Sequence, residues 1–210
     1  MKKIIILIVL SMLLACMTAC SGSKNPDQPT PDDTNQQTAK SVYELLDSLA
    51  EKDYSTVKVD IVTTTGFASL NSNYVLTQNV VTYSIERLNL LPSDGNITDL
   101  SPDCKTTLSG YAQINNGQIT EINGNKDVAL PSYNELKGNF SFDETNFTNV
   151  VVGDGAFEAD VVSPSLFYGA DVDVSELKVK VEYTEASLSK IIISYSTANA
   201  TVQAVYAFEN

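Results

Sequence analysis

Cysteine is the side chain whose chemistry this sequence most invites, and there are three: Cys16, Cys20 and Cys104. A nucleophilic thiol needs a base or cation beside it to favour the thiolate, but the chain has no His and a single arginine, Arg87. The lack of His also removes the commonest general base and the commonest transition-metal ligand, so Ser-His-Asp hydrolysis and zinc-hydrolase chemistry have no residues to run on. No C-x-x-C pair is present, and Cys104 reads as a buried or tolerated thiol. Oxygen ligands remain. Asp171-Val172-Asp173-Val174-Ser175-Glu176 sets carboxylates at alternate positions, like the start of a calcium loop, and Glu182 stands at the twelfth position. The sixth position of such a loop must turn through Gly, however, and here it is Glu176, so a solvated turn ahead of a strand accounts for the run. Carboxylate pairs such as Asp171 with Asp173, or Glu182 with Glu185, are the type a glycosidase uses. With 26 acidic residues in the chain they arise without chemistry. The reading is therefore non-enzymatic, with no catalytic residue, metal or cofactor expected.

The two N-terminal cysteines belong to a different chemistry. Met1-Lys2-Lys3 leads into Ile4 to Ala15, apolar except for Ser11. A basic start followed by a short apolar run is the pattern of a secretion signal, and it falls short of the ~20 apolar residues that span a membrane. Leu13-Leu14-Ala15-Cys16 and Met17-Thr18-Ala19-Cys20 both resemble the lipobox of bacterial lipoproteins. That resemblance implies a cysteine that becomes the first mature residue and carries acyl chains on its sulfur and amine. Cys20 is the preferred lipidation site, since Thr18 and Ala19 precede it and Ser21-Gly22-Ser23 gives a flexible start; Cys16 is the alternative, because Leu13 fits the position three before the cysteine better than Met17. Two or three acyl chains, at ~0.8 kcal/mol per buried methylene, hold a protein on a bilayer where one binds only marginally. The expectation is a signal peptide at 1–19, an acylated cysteine and tether at 20–40, and one globular domain at 41–210. Its place would be the extracytoplasmic face of a bacterial membrane, with the membrane as its covalently attached partner.

Residues 21–40 hold Pro26, Pro29 and Pro31 among Ser, Thr, Asn, Gln and Asp. That composition predicts a disordered tether of ~25 Å r.m.s. reach. The chain carries a formal charge of −13, and −15 once Lys2 and Lys3 leave with the signal. Such a surface repels phosphate backbones, so nucleic-acid binding is excluded. Asn96-Ile97-Thr98, Asn139-Phe140-Ser141, Asn146-Phe147-Thr148 and Asn199-Ala200-Thr201 match glycosylation sequons, which stand idle in a bacterial setting.

Behind these residues the hydrophobic period changes twice. Ser41-x-x-Glu44 reads as a capping box, and Val42, Leu45, Leu46 and Leu49 recur at helical spacing, which predicts a short amphipathic helix ending near Lys52. From Tyr54 the period becomes two. Val57, Val59 and Ile61 alternate with polar residues, as do Val81, Tyr83 and Ile85, and Leu177, Val179, Val181 and Tyr183. Further strands are expected around 191–195 and 201–208, making a C-terminal three-stranded meander, and at 69–77, 108–115, 118–123, 139–142, 147–152 and 155–162. Asn115-Asn116-Gly117 and Asp154-Gly155 read as hairpin turns. Ser132-x-x-Glu135 reads as one more helical turn, and Leu91 to Thr107 as irregular.

A twelve-residue helix cannot cover about nine strands that each have one apolar face. The expected fold class is therefore mainly β (α+β): a curved antiparallel sheet or half-barrel with the helix and segment 91–107 at its mouth. This order of parts resembles the LolA-like half-barrel lipoproteins, including the mycobacterial glycolipid carriers, over 41–210. The likeness is one of pattern, and no site residue is carried over from it. It implies a concave apolar face that holds acyl chains of a lipid or lipoprotein client. The inward residues Val57, Val59, Ile61, Val81, Tyr83, Ile85, Val179, Val181 and Tyr183 would line such a cavity or fill a core; alternation does not separate the two. Ten Tyr and no Trp suit cavity mouths and protein interfaces equally. The leading reading is an anchored carrier of a hydrophobic ligand. The alternative is an anchored interaction module with a filled core, contacting an envelope protein or polysaccharide through its outer face. Ligand identity and oligomeric state are not written in the residues.

Overall fold

The computed structural model describes residues 33–89, 105–124, 128–168, 174 and 176–210. Cys16, Cys20, Cys104, Asp171, Asp173 and most of the expected tether lie outside the described residues. The chain divides into two compact units, Met1–Asn35 and Gln36–Asn210, and the second contains the β-sheet.

Ten antiparallel strands form one sheet, built as two meanders. β1 (Thr56–Thr65), β2 (Ala68–Thr77), β3 (Val80–Asn89), β4 (Lys105–Asn115) and β5 (Gln118–Gly124) step outward in one direction. β6 (Phe147–Gly153), β7 (Ala156–Val161), β8 (Glu176–Tyr183), β9 (Leu188–Ser196) and β10 (Ala200–Glu209) step inward from the other edge until β10 pairs with β1. Several hairpins are pinned by a threonine at the end of the first strand. The Thr65, Thr184 and Thr197 hydroxyls each accept backbone N–H groups two and three residues on, from Phe67 and Ala68, Ala186 and Ser187, and Asn199 and Ala200. These short polar turns compete with strand continuation and reverse the chain. Asn116 and Gly117 turn with φ of 52° and 71°, the left-handed geometry of a two-residue hairpin loop.

The strand order dictates how the core is covered. β5 and β6 are consecutive in the chain but occupy opposite edges, ~43 Å apart at ~4.8 Å per strand. The connecting segment, 125–146, must therefore traverse the sheet, and it does so across the apolar face. It carries α2 (Tyr133–Lys137), then Phe140 and Phe142, then a single 3-10 turn at Glu144–Asn146. The Ser132 hydroxyl accepts the Glu135 N–H while the Glu135 carboxylate accepts the Ser132 N–H at 2.7 Å, so the capping box read in the sequence starts α2. The Tyr206 hydroxyl donates to the Glu135 carbonyl at 3.1 Å, which ties α2 to β10.

Helix α1 (Asp33–Ala50) lies on the same face and buries Val42, Tyr43, Leu46 and Leu49. The Asp47 carboxylate accepts the Phe142 N–H at 3.0 Å, joining the helix to the crossing segment. α3 (Pro164–Tyr168), between β7 and β8, adds Phe167. Together these pieces build an aromatic cluster over β6, β7 and β10. Tyr43 and Phe142 each stack on Phe147 at 5.9 Å, Phe157 and Phe167 meet Phe147 edge-on at 5.4 Å, and Phe140 meets Tyr206 edge-on at 5.0 Å.

Three expectations are overturned. The sheet is open, neither closed nor strongly curled, so the half-barrel is not formed and the likeness to LolA-like lipoproteins, with the lipid-binding concave face it implied, does not hold. Ten strands stand where about nine were expected. The physical reason lies in 139–142: this segment alternates like a strand, but Phe140 and Phe142 point into the core from irregular backbone that crosses the sheet. A covering layer buries the apolar face, and no curling is needed. Helix α1 also starts at Asp33, ahead of the expected cap at Ser41. Residues 36–40 contain no Gly or Pro to stop it, and Ser41 is an interior residue of the helix.

Candidate functional site

The nine inward residues singled out in the sequence all belong to the apolar layer or pack against it. Val59, Val81 and Val181 are 0% exposed, Tyr83 and Val179 are buried, and Ile61, Ile85 and Tyr183 are partly buried against the core. Tyr83 is placed by glycine. Its ring crosses Gly110 and Gly124, so that a Cβ would come within 2.5 Å of the Tyr83 hydroxyl oxygen at the first position and 2.9 Å at the second. Gly124 also adopts φ 122°, a conformation that side-chain-bearing residues avoid. The ninth, Val57, is buried beneath a cleft at one end of this layer.

Two places remain where another molecule could be met. The first is the outer face of the sheet, which the antiparallel register arranges into rows. One row runs Thr107, Glu86, Asn71, Val62, Gln203, Ser194, Lys178 and Asp160 across β4, β3, β2, β1, β10, β9, β8 and β7. Cations on this face are matched by carboxylates on neighbouring strands: Lys180 with Glu158 at 2.7 Å, Lys105 with Glu86 at 2.6 Å, and Lys58 with Glu209. Exposed pairs of this kind contribute little to stability, but they leave the face close to neutral within a strongly acidic chain. α1, α2 and α3 all pack on the opposite side, so the outer face carries no covering element among the described residues.

The second place is the cleft, about 570 Å³ in volume, at one end of the inner face. Its floor is one register row, Phe208, Val57 and Leu76, contributed by β10, β1 and β2. The layer above this row is incomplete. α1 ends at Ala50, the chain turns through Lys52 and Asp53 into β1, and the five-residue α2 is too short to close the gap. Tyr54 and Tyr133 stand as walls. Tyr54 is held on both sides: its hydroxyl donates to the Leu49 carbonyl at 3.0 Å and accepts the Leu188 N–H at 2.8 Å, and its ring leans on Phe208 at 4.9 Å. Burial pushes the Tyr54 pKa up, partly offset by the Leu188 hydrogen bond. At the mouth, the Lys52 ammonium donates to the Ala186 carbonyl at 2.5 Å and the Lys137 ammonium pairs with the Asp53 carboxylate at 2.9 Å.

The sequence pattern did not reveal Lys52, Asp53, Tyr133, Lys137 and Phe208 as a group, because β1, β2, β10 and α2 meet only through the register. The helix end near Lys52 and the capping box at Ser132 were the available signals. Among the described residues no cluster of acidic or thiol side chains could hold a metal ion, and Glu182, a candidate for calcium or glycosidase chemistry by its spacing, faces Lys190 at 3.7 Å. No helix among them is long and apolar enough to cross a membrane. No protein-family model matches the chain, and a search of curated proteins finds none that matches it.

Proposed function

We propose that this chain is an exported interaction module, tied to the bacterial envelope through an acylated Cys20 and meeting an envelope protein or polysaccharide across the outer face of its sheet. The observation that carries the reading is the asymmetry of the sheet. One face is sealed by helices and a crossing segment, with Val59, Val81 and Val181 wholly buried, while the other is bare among the described residues. Short neutral side chains such as Asn71, Asn73, Ser84, Ser109 and Gln203 give that bare face many hydrogen-bonding groups with little conformational entropy to lose on binding. A carrier of lipid or acyl chains would need an opening between the sheet and its covering layer, and of its nine candidate residues only Val57 borders the inner-face cleft.

The anchor and the face are tested separately. Metabolic labelling with palmitate should mark the parent chain and lose the mark in Cys20→Ala; undiminished label in a Cys16→Ala, Cys20→Ala double variant contradicts the anchor. For the face, Asn71→Arg with Gln203→Arg should reduce retention of the chain by isolated envelope at least several-fold, whereas Glu44→Arg on α1 should leave it unchanged. Retention equal to the parent's in both variants contradicts the outer-face assignment.

A further inference from the structure

We infer that the cleft between α1, α2 and the ends of β10, β1 and β2 binds a small aromatic monoanion, a carboxylate carried on one or two rings. This goes beyond the interaction-module reading and does not depend on it. The cleft's volume of about 570 Å³ falls within the ~300–1,000 Å³ of small-molecule sites. Its shape is set before any ligand arrives. The floor is locked by strand register, and the Tyr54 ring is fixed by hydrogen bonds at its hydroxyl and by Phe208 against its face. Such a preformed wall costs a ligand little ordering entropy. Aromatic side chains on two sides, Tyr54 with Phe208 and Tyr133, favour a flat body that can stack or meet them edge-on.

The charge at the mouth selects the anion. Lys137 is matched by Asp53, but Lys52 is held by a neutral carbonyl, which leaves its charge uncompensated. The rim therefore carries two ammonium groups against one carboxylate, in a chain whose net charge is −13. One surplus positive charge suits a monoanion; a second anionic group on the ligand would face Asp53.

The test is calorimetric titration of the purified full chain with 2-naphthoate and with neutral 2-naphthamide. The carboxylate should bind one to one, about fivefold tighter than the amide, and should lose that preference in high salt. Lys52→Gln should bring the carboxylate down to the amide's affinity without changing the amide. Gln78→Trp, which fills the mouth from an exposed turn, should abolish both at an unchanged circular dichroism spectrum. Equal affinity for the two probes, an anion preference that survives Lys52→Gln, or binding that survives Gln78→Trp overturns the inference.

Discussion

At the scale of single residues, two side chains show how much one contact can decide. The Tyr54 hydroxyl bridges the last turn of α1 and the first residue of β9. Tyr54→Phe keeps the ring and the Phe208 contact but leaves the Leu188 N–H without its acceptor, so urea unfolding should show a loss of ~1–2 kcal/mol. A larger loss is expected at Gly110, where an added methyl would meet both the Tyr83 hydroxyl and the Asn123 carbonyl. The backbone carbonyl cannot swing aside, so Gly110→Ala should cost ~1–3 kcal/mol by the same measurement. Neither effect was legible in the sequence. Tyr54 and Tyr83 read only as members of alternating strands, and Gly110 as an ordinary residue within one, because their partners lie far along the chain or across a register that alternation alone does not fix. What the sequence did make plain was negative: without His, the described side chains offer no general base of the usual kind.

At the scale of elements, strands and turns were readable and the covering layer was not. The alternation from Leu177 to Tyr183 marks β8, and the capping box at Ser132 marks α2, because each depends on neighbours within a few positions. The crossing segment defeated the same logic. Phe140 and Phe142 sit two apart and mimic strand period, while the cause of their burial is the topology that sends β6 to the far edge from β5. Mistaking that segment for a strand removed a cover from the sheet and made a half-barrel look necessary. The covering layer can be tested at its centre: Phe142→Ala, at a ring buried to 1% exposure and packed against Phe147, Phe157 and Phe167, should lower stability by ~3–5 kcal/mol. A solvent-facing Phe142 would give a loss near zero.

At the scale of the molecule, the two meanders share one seam, β1 against β10, and each outer pair carries a register shift, in β4 at Ala112/Gln113 and in β6 at Thr148/Val151. Such irregularities near open edges discourage further strand addition. Burial also gives the molecule a common alkaline weakness. It raises the pKa values of Tyr43, Tyr54, Tyr74, Tyr183 and Tyr195 above the ordinary 10.0. Above about pH 10 the unfolded chain ionises these phenols while the folded chain still holds their protons, so stability is complete below that pH and falls as pH rises through the folded values. A denaturant midpoint that stays constant from about pH 8 to about pH 12 would contradict this.

The most direct test of the central claim, that the chain meets its partner through the uncovered face of the sheet, is photo-crosslinking in living cells with benzophenone side chains. Probes at Asn71 and Gln203 on that face should yield the same discrete adduct, protease-sensitive for a protein partner and glycosidase-sensitive for a polysaccharide, and a probe at Ser48 on the exposed side of α1 should yield none. An adduct from Ser48 with nothing from Asn71 and Gln203 would contradict the account.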